Sequence, residues 1–363
     1  MRDKAGRDKA GRGETGDGAG KRPLAIILGV AGERLTPDER RFLADSDPLG
    51  FVLFRRNCAS RDQLRALIES LRDAVGREDA PVLIDQEGGR VARLRPPQWR
   101  AYPAAAQIAA LPDPAAREAA RLSARLIAAD LAELGITVDA APVLDLPAQD
   151  ADPVIGDRAW GTDPARIVSL GRAVCEGLLA GGVLPIVKHI PGHGRARVDS
   201  HKALPRVDDR RAVLSRTDFA PFRALADMPW AMTAHIVYTA IDDAAPATLS
   251  RTVIDSAIRG EIGFDGVLVS DDISMGALSG GFAERTSRAL DAGVDLVLHC
   301  NGDGREMMEI AAAARPLTPQ AQARIARGEE LRRRARGDFD ARAAERRFAE
   351  LMSGDAATRS VQA

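Results

Sequence analysis

Cysteine is scarce. The 363 residues include three, Cys58, Cys175 and Cys300, far apart and odd in number. That excludes a disulfide framework, and without a CxxC pair there is no zinc-site signature. Reduced thiols in a cytoplasmic setting are the expectation. An excess of one charge sign is also lacking. Lys and Arg total 51 against 52 Asp and Glu, a formal net charge of −1. The chain therefore has no overall basic field for nucleic acid or an anionic membrane. Long hydrophobic runs are missing too: none approaches the ~20 residues that cross a bilayer. The N-terminus is polar and glycine-rich, without the apolar core of a secretory signal. What is present is the composition of an ordinary soluble globular protein, 45% hydrophobic and 28% charged.

Residues 1–22 hold a tandem Arg-Asp-Lys-Ala-Gly repeat and read as a disordered leader. The body, 23–335, alternates short apolar runs with helical patterns. The runs are Leu24–Val30, Phe51–Phe54, Pro81–Ile84, Val138–Leu144, Val183–Val187, Trp230–Ala234, Val267–Val269 and Val294–Leu298. Between them lie amphipathic stretches such as 60–75 and 115–134, and helix starts at Thr36-Pro37 and Asp163-Pro164. Eight strands alternating with helices predict a parallel sheet with helices outside, and eight is the number that closes a single-domain TIM (β/α)8 barrel. A doubly wound open sheet is the competing arrangement. Residues 336–363 read as a charged C-terminal helix and tail, solvated and capping the barrel or trailing from it.

The polar residues concentrate at the ends of these runs. Asp85, Lys188, His189, His235, Asp271 and His299 all sit at or just past the C-terminal end of a strand, and in a barrel those ends share one face. Three of the five histidines fall within Lys188–His201, where Pro191, Gly192 and Gly194 rule out helix. Asp199 and His201 are two apart on this loop. A carboxylate bonded to an imidazole fixes its tautomer and suits it to proton transfer. Asp271 at the end of a buried strand can act as nucleophile, base or metal ligand. Asp272 beside it reads as a hydrogen-bonding support or a helix cap. Arg93, Arg158 and Lys188 can hold hydroxyls, a carbonyl or an anion.

Three function classes fit. One is glycoside cleavage by a carboxylate nucleophile and a separate proton-transfer group. A second is a metal-dependent barrel hydrolase with His189, His193, His201 and an Asp as ligands, although the Pro-Gly between His189 and His193 denies them a shared helical face. The third is a barrel that binds sugar without turning it over.

Four segments decide the family. Asp85-Gln-Glu-Gly-Gly-Arg-Val-Ala-Arg93, Val154-Ile-Gly-Asp-Arg158, Lys188-His-Ile-Pro-Gly-His-Gly194 with Asp199-Ser-His201, and Ser270-Asp-Asp-Ile-Ser-Met275 resemble, in order and spacing, the β-N-acetylhexosaminidases of glycoside hydrolase family 3, of the peptidoglycan-recycling type. The resemblance spans about residues 24–310. It implies a one-domain barrel that removes non-reducing N-acetylglucosamine from 1,6-anhydro-muropeptides in the cytoplasm, with retention and without metal or other cofactor. It implies Asp271 as nucleophile, His201 as proton donor and acceptor, and Asp199 as its orienting partner. Asp85, Arg93, Arg158, Lys188 and His189 match sugar-binding positions, and His235 is expected near the pocket. The implied partner is the small muropeptide substrate alone, with a monomeric chain, no nucleic acid and no membrane. Ile190 and Asp157 stand where many members have Phe and Glu. A His in place of a second carboxylate leaves phosphorolysis open beside hydrolysis.

Overall fold

The computed structural model describes residues 22–354. Except for Arg22, the expected leader lies outside the described residues, as does the tail from 355. Eight parallel strands close a barrel: β1 Leu24–Gly29, β2 Pro48–Leu53, β3 Val82–Ile84, β4 Val138–Asp139, β5 Leu184–Ile190, β6 Trp230–Thr233, β7 Val267–Asp272 and β8 Leu296–His299. Each pairs with its sequence neighbours, and β1 closes against β8. The chain is thus a single TIM-type barrel rather than an open sheet.

The apolar runs are continuous because these strands are buried on both faces. Side chains alternate along each strand. Ile27, Val52, Leu83, Val138, Ile186, Val269 and Leu298 fill the barrel interior. Ile26, Leu28, Phe51, Leu53, Val82 and Ile84 pack outward against the helices. Each such side chain contributes roughly 1.5–3 kcal/mol by leaving water. The helices follow their caps. Pro37–Ser46 starts at a Thr36–Glu39 capping box, Arg61–Val75 at a Ser60–Gln63 box, and Pro164–Ala180 at Asp163.

Four details were not in the sequence pattern. β5 runs on to Ile190 and β7 to Asp272, so Lys188, His189 and Asp271 lie within strands rather than just beyond them. β2 begins at Pro48, earlier than its apolar run. Gln86–Gly88 and Val91–Ala92 form a small antiparallel ribbon over the C-terminal mouth. Its turn needs glycine: Gly88 and Gly89 have φ of 104° and 55°, and a Cβ on Gly88 would sit 2.3 Å from the Pro103 carbonyl oxygen. Finally, the helix Ala341–Ser353 is docked. Ala344 and Leu351 are buried in the outer core, and Arg347 forks onto Glu118 of the helix Asp113–Glu133 at 2.8 and 2.9 Å. No helix of the described residues is long and apolar enough to cross a membrane.

Candidate active site

The period-two alternation that fills the barrel also builds its mouth. Continuing each inward series by two residues leads from Val52 to Phe54, Leu83 to Asp85, Ile186 to Lys188, Val269 to Asp271 and Leu298 to Cys300. All ten line one cleft of about 390 Å³ except Ile186 and Val269, which lie deeper. His189 joins them because β5 slips register against β6 between Lys188 and Ile190. One extra residue there re-aims the chain, as bulges do.

Along one side runs a ladder of alternating charge. Arg93 Nη2 donates to Asp85 Oδ2 at 2.9 Å, and Lys188 Nζ donates to Asp85 Oδ1 at 2.9 Å. The same Nζ reaches Glu87 Oε1 at 2.7 Å, and Arg158 forks onto both Glu87 oxygens at 2.9 and 2.8 Å. Lys188 is almost fully buried. Burial alone would raise the Asp85 and Glu87 carboxyls. The Lys188 ammonium and the flanking guanidiniums outweigh it and hold both well below the usual carboxylate range. Burial would likewise lower Lys188, but Asp85 and Glu87 raise it, so Asp85, Lys188 and Glu87 stay charged. The Arg93 guanidinium also lies over the Phe54 ring, 4.7 Å from its centroid.

His189 is positioned by a buried carboxylate that the sequence reading did not single out. Asp145 Oδ2 accepts from His189 Nδ1 at 2.7 Å, while Oδ1 accepts the backbone N–H groups of His189 and His193 at 3.1 and 2.6 Å. Burial opposes ionisation of Asp145, yet the two histidines bring its pKa down to about 2. With Nδ1 committed, Nε2 is the ring nitrogen that His189 presents to the cleft.

Asp271 also lines the cleft. Its Oδ1 accepts the Asp272 N–H at 2.8 Å. Burial pushes this carboxyl up, but the neighbouring His189 and the Asp272 N–H help to bring it below the ordinary value. Asp271 is therefore an unprotonated carboxylate with a free lone pair. Asp272 also borders the cleft and braces the loop, accepting from Ser274 N and Oγ and from Cys300 N. His235 is fully buried beneath. Its Nε2 donates to the Asp272 carbonyl at 3.0 Å and its Nδ1 accepts from Thr248 Oγ1 at 2.7 Å. Burial lowers its pKa, so it supports the Asp271–Asp272 backbone as a neutral ring. His299 is buried too and spends Nε2 on Glu306 at 2.7 Å, away from the cleft lining.

The loop after β5 forms another part of the cleft wall. His201 lines the cleft with a side chain 64% exposed. Its Nδ1 and its backbone N–H both donate to Asp199 Oδ1, at 2.8 and 2.9 Å. Burial raises Asp199, and these two bonds more than reverse it. The ring is thus held with Nε2 outward. His193 is elsewhere. It is buried, and Nε2 meets Ser200 Oγ at 3.0 Å. So His189, His193 and His201 do not converge on one point, and among the described residues no three His, Cys, Asp or Glu side chains are grouped as metal ligands.

The structure thus brings Asp85, Arg93, Arg158, Lys188, His189, His201 and Asp271 to one cleft, with Asp199 behind His201. The residues missed are Glu87, Asp145 and Asp139. Glu87 lies two residues beyond Asp85 on the same motif, and Asp145 closes the Pro142-Val-Leu run after β4, so strand-end position was a usable signal for both. Asp139 is fully buried on β4. Its Oδ1 accepts the Gln86 N–H at 2.9 Å and its Oδ2 has no partner. Burial pushes its pKa up to about 7, and no sequence signal marks it.

Comparison with known proteins agrees with this geometry. The profile of the glycosyl hydrolase family 3 N-terminal domain matches residues 26–328. A β-hexosaminidase of Alkalilimnicola ehrlichii is 40% identical over 283 residues, 76% of this chain and 80% of the relative. One from Pseudomonas aeruginosa is 37% identical over 311 residues, covering 84% and 91%. Among solved structures, NagZ from Neisseria gonorrhoeae in complex with N-trifluoroacetyl-D-glucosamine superposes with a TM-score of 0.81 at 30% identity, over 92% of this chain and 99% of that one. The chain belongs to glycosyl hydrolase family 3 and groups with its β-hexosaminidases.

Proposed function

We propose that this protein is a retaining exo-β-N-acetylglucosaminidase that removes the non-reducing N-acetylglucosamine from 1,6-anhydro-muropeptides. It would act as a cytoplasmic monomer in cell-wall recycling. The observation that carries the reading is that one cleft holds both a deprotonated Asp271 at the end of β7 and an Asp199-bound His201 on the loop after β5. The N-trifluoroacetyl-D-glucosamine bound by the gonococcal protein supports N-acetylglucosamine as the sugar.

In the first step Asp271 attacks the anomeric carbon and forms a glycosyl ester. His201, protonated, gives its Nε2 proton to the departing oxygen. In the second step neutral His201 takes a proton from water, whose oxygen displaces Asp271 and restores the β-anomer. Asp199 fixes the ring and stabilises its cationic form. Two inversions at one carbon give net retention. Asp85, Arg93, Lys188, Arg158 and His189 are assigned to the sugar hydroxyls and the acetamido group. Their mutual ion pairs hold donors and acceptors at fixed places before substrate arrives, which lowers the ordering cost of binding.

The test is release of chromophore from an aryl β-N-acetylglucosaminide with EDTA present, comparing native protein with Asp271→Ala. Turnover that survives chelation and falls by roughly 10⁴-fold or more in the variant is the expected result. Loss of native turnover on chelation would move the chemistry to a metal site. Proton NMR of the first product, with and without inorganic phosphate, separates β-N-acetylglucosamine from a sugar 1-phosphate.

A further inference from the structure

The His201 side chain is 64% exposed, so burial does not fix it. Proton transfer needs the ring held within hydrogen-bond reach of the glycosidic oxygen, and that placement has to come from the loop backbone. Its outer residues offer little: Val198 and Leu204 are themselves exposed. Two inward-facing residues behave differently. Ser200 and His193 are both buried, and His193 Nε2 meets Ser200 Oγ at 3.0 Å.

His193 is a fixed post. Asp145 Oδ1 accepts its backbone N–H at 2.6 Å, and Tyr238 donates its hydroxyl to the Gly192 carbonyl at 2.8 Å. Gly194 packs so closely that a Cβ would lie 1.9 Å from the Leu146 carbonyl oxygen. The His193 ring stands edge-on to His189, with centroids 5.5 Å apart. Burial, then the neighbouring His189, brings its pKa down to about 4, so the ring is neutral. Its Nδ1 is buried with no partner. A proton on Nε2, donated to Ser200 Oγ, leaves no orphaned donor, which makes it the cheaper tautomer.

The loop is also gripped from the other side. Ala277 N donates to the Ser200 carbonyl at 3.1 Å and Gly276 N to the His201 carbonyl at 3.2 Å. Gly276 and Ala277 follow β7, the strand that bears Asp271. A Cβ on Gly276 would stand 2.8 Å from the His201 carbonyl oxygen and 3.0 Å from that of Lys202.

We propose that His193 with Ser200 latches the loop of Asp199 and His201 onto the barrel, and that Gly276 and Ala277 form the opposing seat. These are positioning residues. They hold the proton donor in register with the Asp271 strand and do not touch the sugar. The inference rests on the reading of His201 as acid and base.

The experiment compares kcat/KM on two aryl β-N-acetylglucosaminides. The 2,4-dinitrophenyl leaving group needs no proton, and the 4-methoxyphenyl group does. Ser200→Ala and Gly276→Ala are each expected to lower kcat/KM for the methoxyphenyl substrate about tenfold, a fraction of what a whole general acid supplies, while dinitrophenyl turnover stays within about twofold. Ser200→Thr, which keeps the hydroxyl, is expected to regain most of the loss. Equal losses on both substrates would reduce these residues to general scaffold and overturn the latch, as would no loss on either. His201→Ala run beside them separates the two ideas. Discrimination between the substrates in His201→Ala but in neither latch variant overturns the latch alone. No discrimination in His201→Ala overturns the acid and base assignment, and the latch with it.

Discussion

The two sides of the cleft are built on opposite principles. On one, Arg93, Asp85, Lys188, Glu87 and Arg158 form a chain of ion pairs in which Lys188 is only 2% exposed. On the other, His201 stands on a loop, joined to one carboxylate and otherwise open to solvent. Shape recognition of a sugar needs donors and acceptors that do not move, so a low-dielectric, mutually compensated array suits it. Proton transfer needs a group that gives up and regains a proton in each cycle, which burial would hinder by penalising the charged form. On the proposed function, this barrel assigns recognition to a fixed ladder of ion pairs and proton transfer to a loop.

Three changes would break or sharpen that contrast. The largest effect is expected from His201→Ala on a substrate with a poor leaving group: a fall in kcat/KM of roughly 10²–10⁴-fold, with the thermal midpoint nearly unchanged because the ring is exposed. Parallel calorimetry checks this, and a large drop in midpoint would make the loop side as structural as the ladder.

The ladder is expected to respond the other way. Glu87→Gln leaves Lys188 and Arg158 short of a buried counter-charge and should cost about 3 kcal/mol of stability as well as weakening sugar binding. The pH sign follows from the depressed Glu87 carboxyl. Its stabilisation is present above the ordinary carboxylate pKa and is lost as pH falls from about 4 toward 2. Denaturant titrations across that window should therefore show a shallower pH slope in the variant. An unchanged slope would mean that the ladder is not held together by charge.

The smallest effect concerns Asp139, buried just below the ladder with its pKa at about 7. A carboxyl raised on folding binds more protons in the native state, so stability falls as pH rises between about 4 and 7. Asp139→Asn keeps an oxygen for the Gln86 N–H and removes the charge. Its gain over wild type should grow by roughly 2 kcal/mol between pH 5 and pH 8. A gain independent of pH would show that Asp139 is already ionised in the folded protein across this range.

Most of the barrel could be read directly. Each of the eight apolar runs overlaps a strand, because strands buried on both faces must be apolar throughout. The helix starts at Thr36 and Asp163 were legible from capping chemistry alone. The reading was weakest where chain direction depends on distant contacts. The ribbon after β3 has only two or three residues per strand, too short for a period to register. The extension of β5 through His189 depends on a register slip against β6, which no local pattern encodes. The helix Ala341–Ser353 has a mostly charged surface, yet a few apolar side chains suffice to dock it.

The sequence by itself determined the barrel and the order in which charged residues arrive at its mouth. Strand number, alternation and caps are local properties, and strand ends of a parallel barrel fall on one face whatever the loops do. Only the tertiary structure decided which of those residues act as partners. Glu87 became the hinge of the ladder because Lys188 and Arg158, over 70 residues away, reach it from β5 and from the turn Gly156–Arg158. His193 and His201 share a motif but face different surroundings, one packed against His189 and Ser200 and the other open to the cleft. Hydrogen bonding, burial and pKa depend on what lies within a few ångströms, and that neighbourhood exists only once the barrel has closed.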